Sequence, residues 1–335
     1  MKDKMQRHNL SAVSEFILIG LSDAPHVRLL LFVLFLTIYL ATMAGNITIL
    51  LAVSTDTRLH NPMYFFLGNL ALLDILCPTI TVPKMLGALL LDNKGISFKG
   101  CLFQLFFLIH VVGTEIFLLA VMAYDRYVAV CHPLKYPNIM RMKLCAHLAI
   151  GTWLVGFLNS LLHTSLVFTL LFCDSNQVDQ YYCDIPPVLG LSCSSTWSRE
   201  LVILAVAGVL GSGAFVLTLT SYLYILLAIL ATNSSQSRHK AFSTCASHLT
   251  VVCLFYGTTI CTYMRPFSTY SPQRDRIVSM LYGILTPLLN PIIYSLRNKE
   301  LRSALRRGIR QLRTAVTAQQ HLAQSRASSA APAVG

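Results

Sequence analysis

Seven stretches almost free of formal charge, each long enough to cross a bilayer, constrain this chain more than any other feature. They cover residues 29–53, 59–83, 100–124, 144–173, 201–237, 241–264 and 277–296, and Asp74 and Glu115 are the only charged residues inside them. About 20 consecutive apolar residues are enough for a helix to span the hydrocarbon. Charged residues make up 12% of the chain, against about 25% in soluble domains. The 335 residues would be enough for two soluble domains, but the bilayer-sized gaps between charges exclude that. The expected fold is an all-α membrane protein, a seven-transmembrane helix bundle.

Orientation follows from where Lys and Arg fall. If the loops after spans one, three and five and the C-terminal tail face the cytoplasm, that side holds 15 of the 26 basic residues and three acids. The opposite side holds 11 basic residues and nine acids, which places the N-terminus outside. The net charge of +12 then suits anionic inner-leaflet lipid, and no basic-aromatic interleaving points to nucleic acid. Residues 1–25 form an extracellular tail with no apolar run suited to a cleaved signal peptide, so the first span is expected to act as an uncleaved anchor. Within the tail, Asn9-Leu10-Ser11 is a glycosylation sequon.

Polar residues within the spans need partners. Asn46 in span one is expected to face other helices rather than lipid. Pro62 suits the first turn of span two. Asp125-Arg126 ends a run of 25 residues whose only charge is Glu115, and the cost of burying such charges in lipid places the pair where a helix leaves the membrane. Pro291 removes the backbone bond to residue 287, and Asn290 is the expected local partner for the freed group. Cys101, Cys173, Cys183 and Cys193 all fall on the outer side, where two disulfides with three possible connectivities are expected. After span seven, Leu301, Leu305, Ile309 and Leu312 share one face among arginines. Residues 297–313 therefore read as a short amphipathic interfacial helix, and 314–335 as a disordered cytoplasmic tail.

Several runs carry a family resemblance: L-H-N-P-M-Y-F-F-L at 59–67, M-A-Y-D-R-Y-V-A-V-C-H-P-L-K-Y at 122–136, Y-Y-C-D-I-P-P at 181–187, K-A-F-S-T-C-A-S-H at 240–248, and P-L-L-N-P-I-I-Y-S-L-R-N at 287–298. In this order they resemble the odorant receptors, a branch of the rhodopsin-like G-protein-coupled receptors, and the likeness extends over residues 9–300. One departure is Lys135, where the family more often has His.

The resemblance implies a receptor in the plasma membrane of olfactory sensory cilia. It would bind a small, mostly apolar odorant and activate a stimulatory olfactory-type heterotrimeric G protein, raising cyclic AMP. It also implies the pairings Cys101–Cys183 and Cys173–Cys193. Coupling is expected to involve Asp125, Arg126, Tyr222, Arg238 and Lys240. The ligand pocket is expected between spans three, five and six under the 170–195 loop, from Leu105, Leu108, Ile109, Val112, Ile203, Val206, Leu210, Tyr256, Thr259, Ile260 and Tyr263. No cofactor is expected. Asp74 matches the sodium-binding acid of rhodopsin-like receptors, so an allosteric sodium ion is expected among Asp74, Glu115, Asn46 and Asn290; a protonated carboxyl pair is the alternative. The sequence has no nucleophile elbow, phosphate-binding Gly loop or metal-ligand His/Cys pair, which argues against an enzyme. A non-olfactory receptor of the same class and a small-solute transporter are the other readings; no internal repeat or ladder of ionisable residues supports the transporter.

Overall fold

The computed structural model describes residues 13–22, 24–172, 175–231, 235–263, 271–297 and 300–307, with backbone alone at 235, 237–244, 263, 296 and 297. Among these described residues, seven helices are long and apolar enough to cross a membrane. They are α1 (Pro25–Thr55), α2 (Pro62–Leu91), α3 (Phe98–Cys131), α5 (Met142–Phe168), α7 (Trp197–Ala231), α8 (Ser235–Tyr263) and a seventh made of α9 (Pro272–Met280), a π turn (Leu281–Leu285) and α10 (Thr286–Arg297). Two short helices lie between them, α4 (Tyr136–Ile139) and α6 (Ile185–Leu189). Residues 300–307 are helical after the seventh span, with Leu301 fully buried and Leu305 packed on the core. Ile309, Leu312 and the 308–335 tail lie outside the described residues, as does Asn9.

Most helices outrun their charge-free windows. α2 continues from the expected end at residue 83 to Leu91, because Lys84 reaches along the helix to the Asn93 carbonyl and side-chain oxygen at 3.1 and 3.2 Å. A long Lys side chain can carry its charge to the helix end in this way. Two starts follow capping rules: Asn61 accepts from Tyr64 N ahead of Pro62, and Ser97 accepts from Gly100 N.

α3 is the central element. It buries 18 of its 34 residues whereas α7 buries six of 35, so α7 lies at the periphery. α5 reaches α3 closely at Gly156, where a Cβ would fall 2.8 Å from Thr114 N and 2.9 Å from the His110 carbonyl. Only a residue without a side chain permits that approach. At the end where Cys101 and Cys183 are joined, a small sheet of order β2-β1-β3 assembles β1 (Glu15–Leu18), β2 (Gly95–Ser97) and β3 (Gln177–Val178). β1 belongs to the stretch read as the N-terminal tail. It buries Phe16 and Leu18 with Cys101, Phe172 and Cys183.

Candidate functional site

A cavity of about 350 Å³ opens beside α3, roughly 12–24 Å along the helix from Cys101. Ile109 and Val112 come from α3, Ile203 and Leu210 from α7, and Tyr256, Thr259 and Ile260 from α8, all in the expected set. Three expected residues, Leu105, Leu108 and Val206, are not among its walls. Leu105 and Leu108 are buried in the apolar core instead. They turn to other sides of the central helix. Val206 gives way to its neighbour Ala207. The Tyr263 side chain lies outside the described residues.

The α5 wall was not foreseen. Asn159 and His163 line the cavity one turn apart, and Ile185 of α6 closes it from the loop. The signal was present as an Asn and a His four residues apart inside an apolar span, a spacing that puts both on one helix face. The His163 ring nitrogen Nδ1 lies 2.7 Å from the Asn159 carbonyl. The Asn159 amide oxygen is buried without a hydrogen-bond partner. Among the described residues, none with a formal charge lines the cavity.

A second polar cluster lies deeper in the bundle. Asn290 Nδ2 donates to both oxygens of Asp74 at 3.0 Å. Asn46, 0% exposed, donates to the carbonyls of Thr42 and Pro287, each at 3.0 Å. This corrects the expected role of Asn290: the carbonyl freed by Pro291 is taken by Asn46 from α1, while Asn290 serves Asp74. Asp74 and Glu115 are both buried and close enough to interact electrostatically. Glu115 Oε1, Asn46 Oδ1 and Asn290 Oδ1 are each buried without a partner. Among the described residues no three His, Cys, Asp or Glu side chains gather into a metal site; this cluster is two acids and two amides.

At the opposite end of α3 from the disulfide, Arg126 is ion-paired with Asp125 through Nη2, and its Nε lies 3.1 Å from the same oxygen. Tyr136 of α4 donates to the other Asp125 oxygen at 2.7 Å. Burial, and then the Asp125 carboxylate, push the Tyr136 hydroxyl up in pKa, so it stays a donor. The pair was expected where the helix leaves the membrane. α3 runs on for five residues to Cys131, and Asp125 and Arg126 are 1% and 8% exposed. Mutual pairing and the Tyr136 bond compensate for that burial. Tyr222 bonds His248 Nδ1 at 2.5 Å, leaving His248 Nε2 buried without a partner. The side chains of Arg238 and Lys240 lie outside the described residues.

The Cys101–Cys183 bond ties α3 to the loop ahead of α7. Cys193 is also disulfide-bonded. Its N–H donates to the Leu171 carbonyl, and Phe172 pairs with Ser192. Cys173 itself lies outside the described residues.

Residues 35–311 match the family profile described as "Olfactory receptor". The chain is 49% identical to olfactory receptor 1f45 of Rattus norvegicus over 303 residues, covering 90% of this chain and 97% of that one. It is 50% identical to olfactory receptor 1F1 of Homo sapiens with the same coverage. Against olfactory receptor 5F1 of Homo sapiens the identity is 46% over 310 residues, 92% of this chain and 99% of the relative.

Proposed function

Because the chain belongs to the olfactory receptor family, a family of non-enzymatic multi-pass receptors, we propose that it is an odorant receptor of the plasma membrane of olfactory sensory cilia, with its N-terminus outside. An odorant would occupy the α3–α5–α7–α8 cavity, and a stimulatory olfactory-type G protein would engage the Arg126 end. The cavity carries this reading: about 350 Å³ with no charged wall residue suits a small neutral ligand whose affinity comes from apolar contact. The G protein would meet Arg126 once its bond to Asp125 opens, since a charge-assisted pair with two discrete arrangements can act as a lock. Arg238 and Lys240 at the start of α8 would supply further positive charge to that surface.

We further propose that sodium, when bound, is held by Asp74 with the free oxygens of Glu115, Asn46 and Asn290. These orphan oxygens suit a hard cation, whose charge would neutralise carboxylates that cannot both ionise alone in a low-dielectric core. The functional reading is tested by cyclic AMP in cells displaying the receptor against an odorant panel. A response is expected from wild type, with loss in Val112→Trp, which fills the cavity, and in Arg126→Ala at equal surface display. Unchanged responses in both variants would remove the assignment.

A further inference from the structure

The hydroxyl groups around the cavity are almost all committed as donors. Tyr256 donates to the Ile116 carbonyl at 3.1 Å, Thr259 to the Phe255 carbonyl at 2.7 Å and Ser212 to the Val209 carbonyl at 3.2 Å. A hydroxyl has one proton and two lone pairs, so Thr259 and Ser212 keep acceptor capacity for a ligand, while the Tyr256 oxygen also lies 3.5 Å from the Thr218 hydroxyl. The His163 Nδ1 faces a backbone carbonyl of its own helix, which can only accept, so that nitrogen is also a committed donor. Asn159 differs. Its amide oxygen has no partner, and a half-turn of χ2 exchanges the positions of oxygen and nitrogen.

From this imbalance we infer that the cavity selects ligands bearing a hydroxyl donor, alcohols or phenols, over ethers, esters and hydrocarbons of the same shape. The inference rests on the odorant-receptor reading and gives its ligand a chemical class. A ligand O–H adds a hydrogen bond to a wall lone pair without breaking an existing one, and its oxygen can still accept from the Asn159 amide. An ether or ester oxygen can only accept. It must use that same amide or draw a proton away from a helix carbonyl, which exchanges one bond for another with little net gain. Carboxylates and ammonium ions are disfavoured, because no described wall residue carries an opposite charge and an unpaired ion is costly to bury. One net hydrogen bond corresponds to about a 3- to 10-fold difference in potency.

The test uses the full chain displayed on cultured cells with a cyclic AMP readout. The probes are matched sets of straight-chain alcohols, their methyl ethers, acetate esters and alkanes, together with phenols and their methyl ethers. The agonists are expected to be the hydroxyl-bearing members, each at least about 3-fold more potent than its ether. Thr259→Val keeps the side-chain shape but removes a lone-pair acceptor, and Asn159→Leu removes the amide. Thr259→Val is expected to shrink the alcohol-to-ether potency ratio toward one, a ratio that is insensitive to receptor number, whereas Asn159→Leu takes the same donor from both ligands and is expected to lower both potencies without shrinking the ratio. An ether or ester that equals its alcohol overturns the inference, as does a ratio unmoved by Thr259→Val. Responses confined to donor-free odorants overturn it while leaving the receptor reading intact. Silence of a well-displayed receptor to every odorant counts against the receptor reading itself and removes the inference with it.

Discussion

The carbonyl of Pro287 has no partner within its own helix, because Pro291 four residues later carries no N–H. Asn46 supplies the missing donor from α1, and Gly45 beside it lets the Pro291 ring approach, where a Cβ would fall 3.1 Å from the ring. Neighbouring helices commonly re-satisfy backbone groups freed by proline in a membrane. Asn46→Leu therefore leaves a bare carbonyl in a dry interface, at a cost of about 1–3 kcal/mol. A thermal melt of the detergent-solubilised receptor is expected to show the midpoint lowered by several degrees, and an unchanged midpoint would show that another donor reaches Pro287. Tyr136 sets a comparable test at the other end of α3. Its hydroxyl holds one oxygen of the Asp125 that pairs with Arg126. Tyr136→Phe is expected to loosen that pair and raise agonist-free cyclic AMP above the wild-type level at equal display.

Packing between whole helices depends on single small residues as well. Gly156 brings α5 against the Thr114 and His110 backbone of α3, so Gly156→Ala must push the helices apart, at about 1–3 kcal/mol for overpacking. The expected outcome is reduced surface display and a lower melting midpoint, with Gly151→Ala, which meets nothing within 4 Å, as the unaffected control. The helix at 300–307 is tied back to the turn after α1 by Arg307 and Asp56, with Nε at 3.1 Å from the carboxylate. That hydrogen bond holds the Asp56 carboxyl below its ordinary range. A depressed carboxylate contributes above its unfolded value of about 3.9 and loses its contribution as pH falls through the lower, folded value. The tether is thus constant across neutral pH, and the protection of residues 300–307 from hydrogen exchange, taken relative to the free-peptide rate at each pH, should fall in Arg307→Ala and stay unchanged between pH 6 and 8 in wild type. Legibility differs between these elements for physical reasons. The seven spans were readable because lipid forbids unpaired charge over a helix length. Their ends were not, because Lys84 carries its charge past a turn of α2. The β1–β2–β3 sheet pairs short strands distant in sequence, such as Phe16 with Ile96 and Ile17 with Gln177, and strands of two to four residues leave no period to detect. The α5 wall was missed because His163 and Asn159 look like ordinary interhelical polar residues until the cavity beside them is seen.

At the scale of the whole bundle, one polar cluster joins α1, α2, α3 and α10, through Asn46, Asp74, Glu115 and Asn290. Asp74 already accepts two bonds from Asn290, while Glu115 Oε1, Asn46 Oδ1 and Asn290 Oδ1 have none. Each unpaired oxygen carries a desolvation cost, and two buried carboxylates add mutual repulsion unless a proton or a cation intervenes. A bound sodium ion would relieve both at once by drawing the three free oxygens and Asp74 together. A shared proton would relieve the repulsion and satisfy a single oxygen. Under the sodium proposal, the four helices are held in the arrangement that fits the ion, and any arrangement that contracts the cluster binds it less well. A ligand shifts an equilibrium only by its differential affinity for the two states, so sodium is expected to lower agonist-free signalling. The measurement is a nucleotide-exchange assay with the receptor in vesicles and purified stimulatory G protein. Sodium is replaced by N-methyl-D-glucamine at constant ionic strength. Wild-type basal exchange is expected to rise on replacement, and the Asp74→Asn/Glu115→Gln double variant to show the same basal rate in both salts. Identical wild-type curves in the two salts would assign the cluster to the protonated pair, because a proton held between the carboxyls is indifferent to which bulk cation is present.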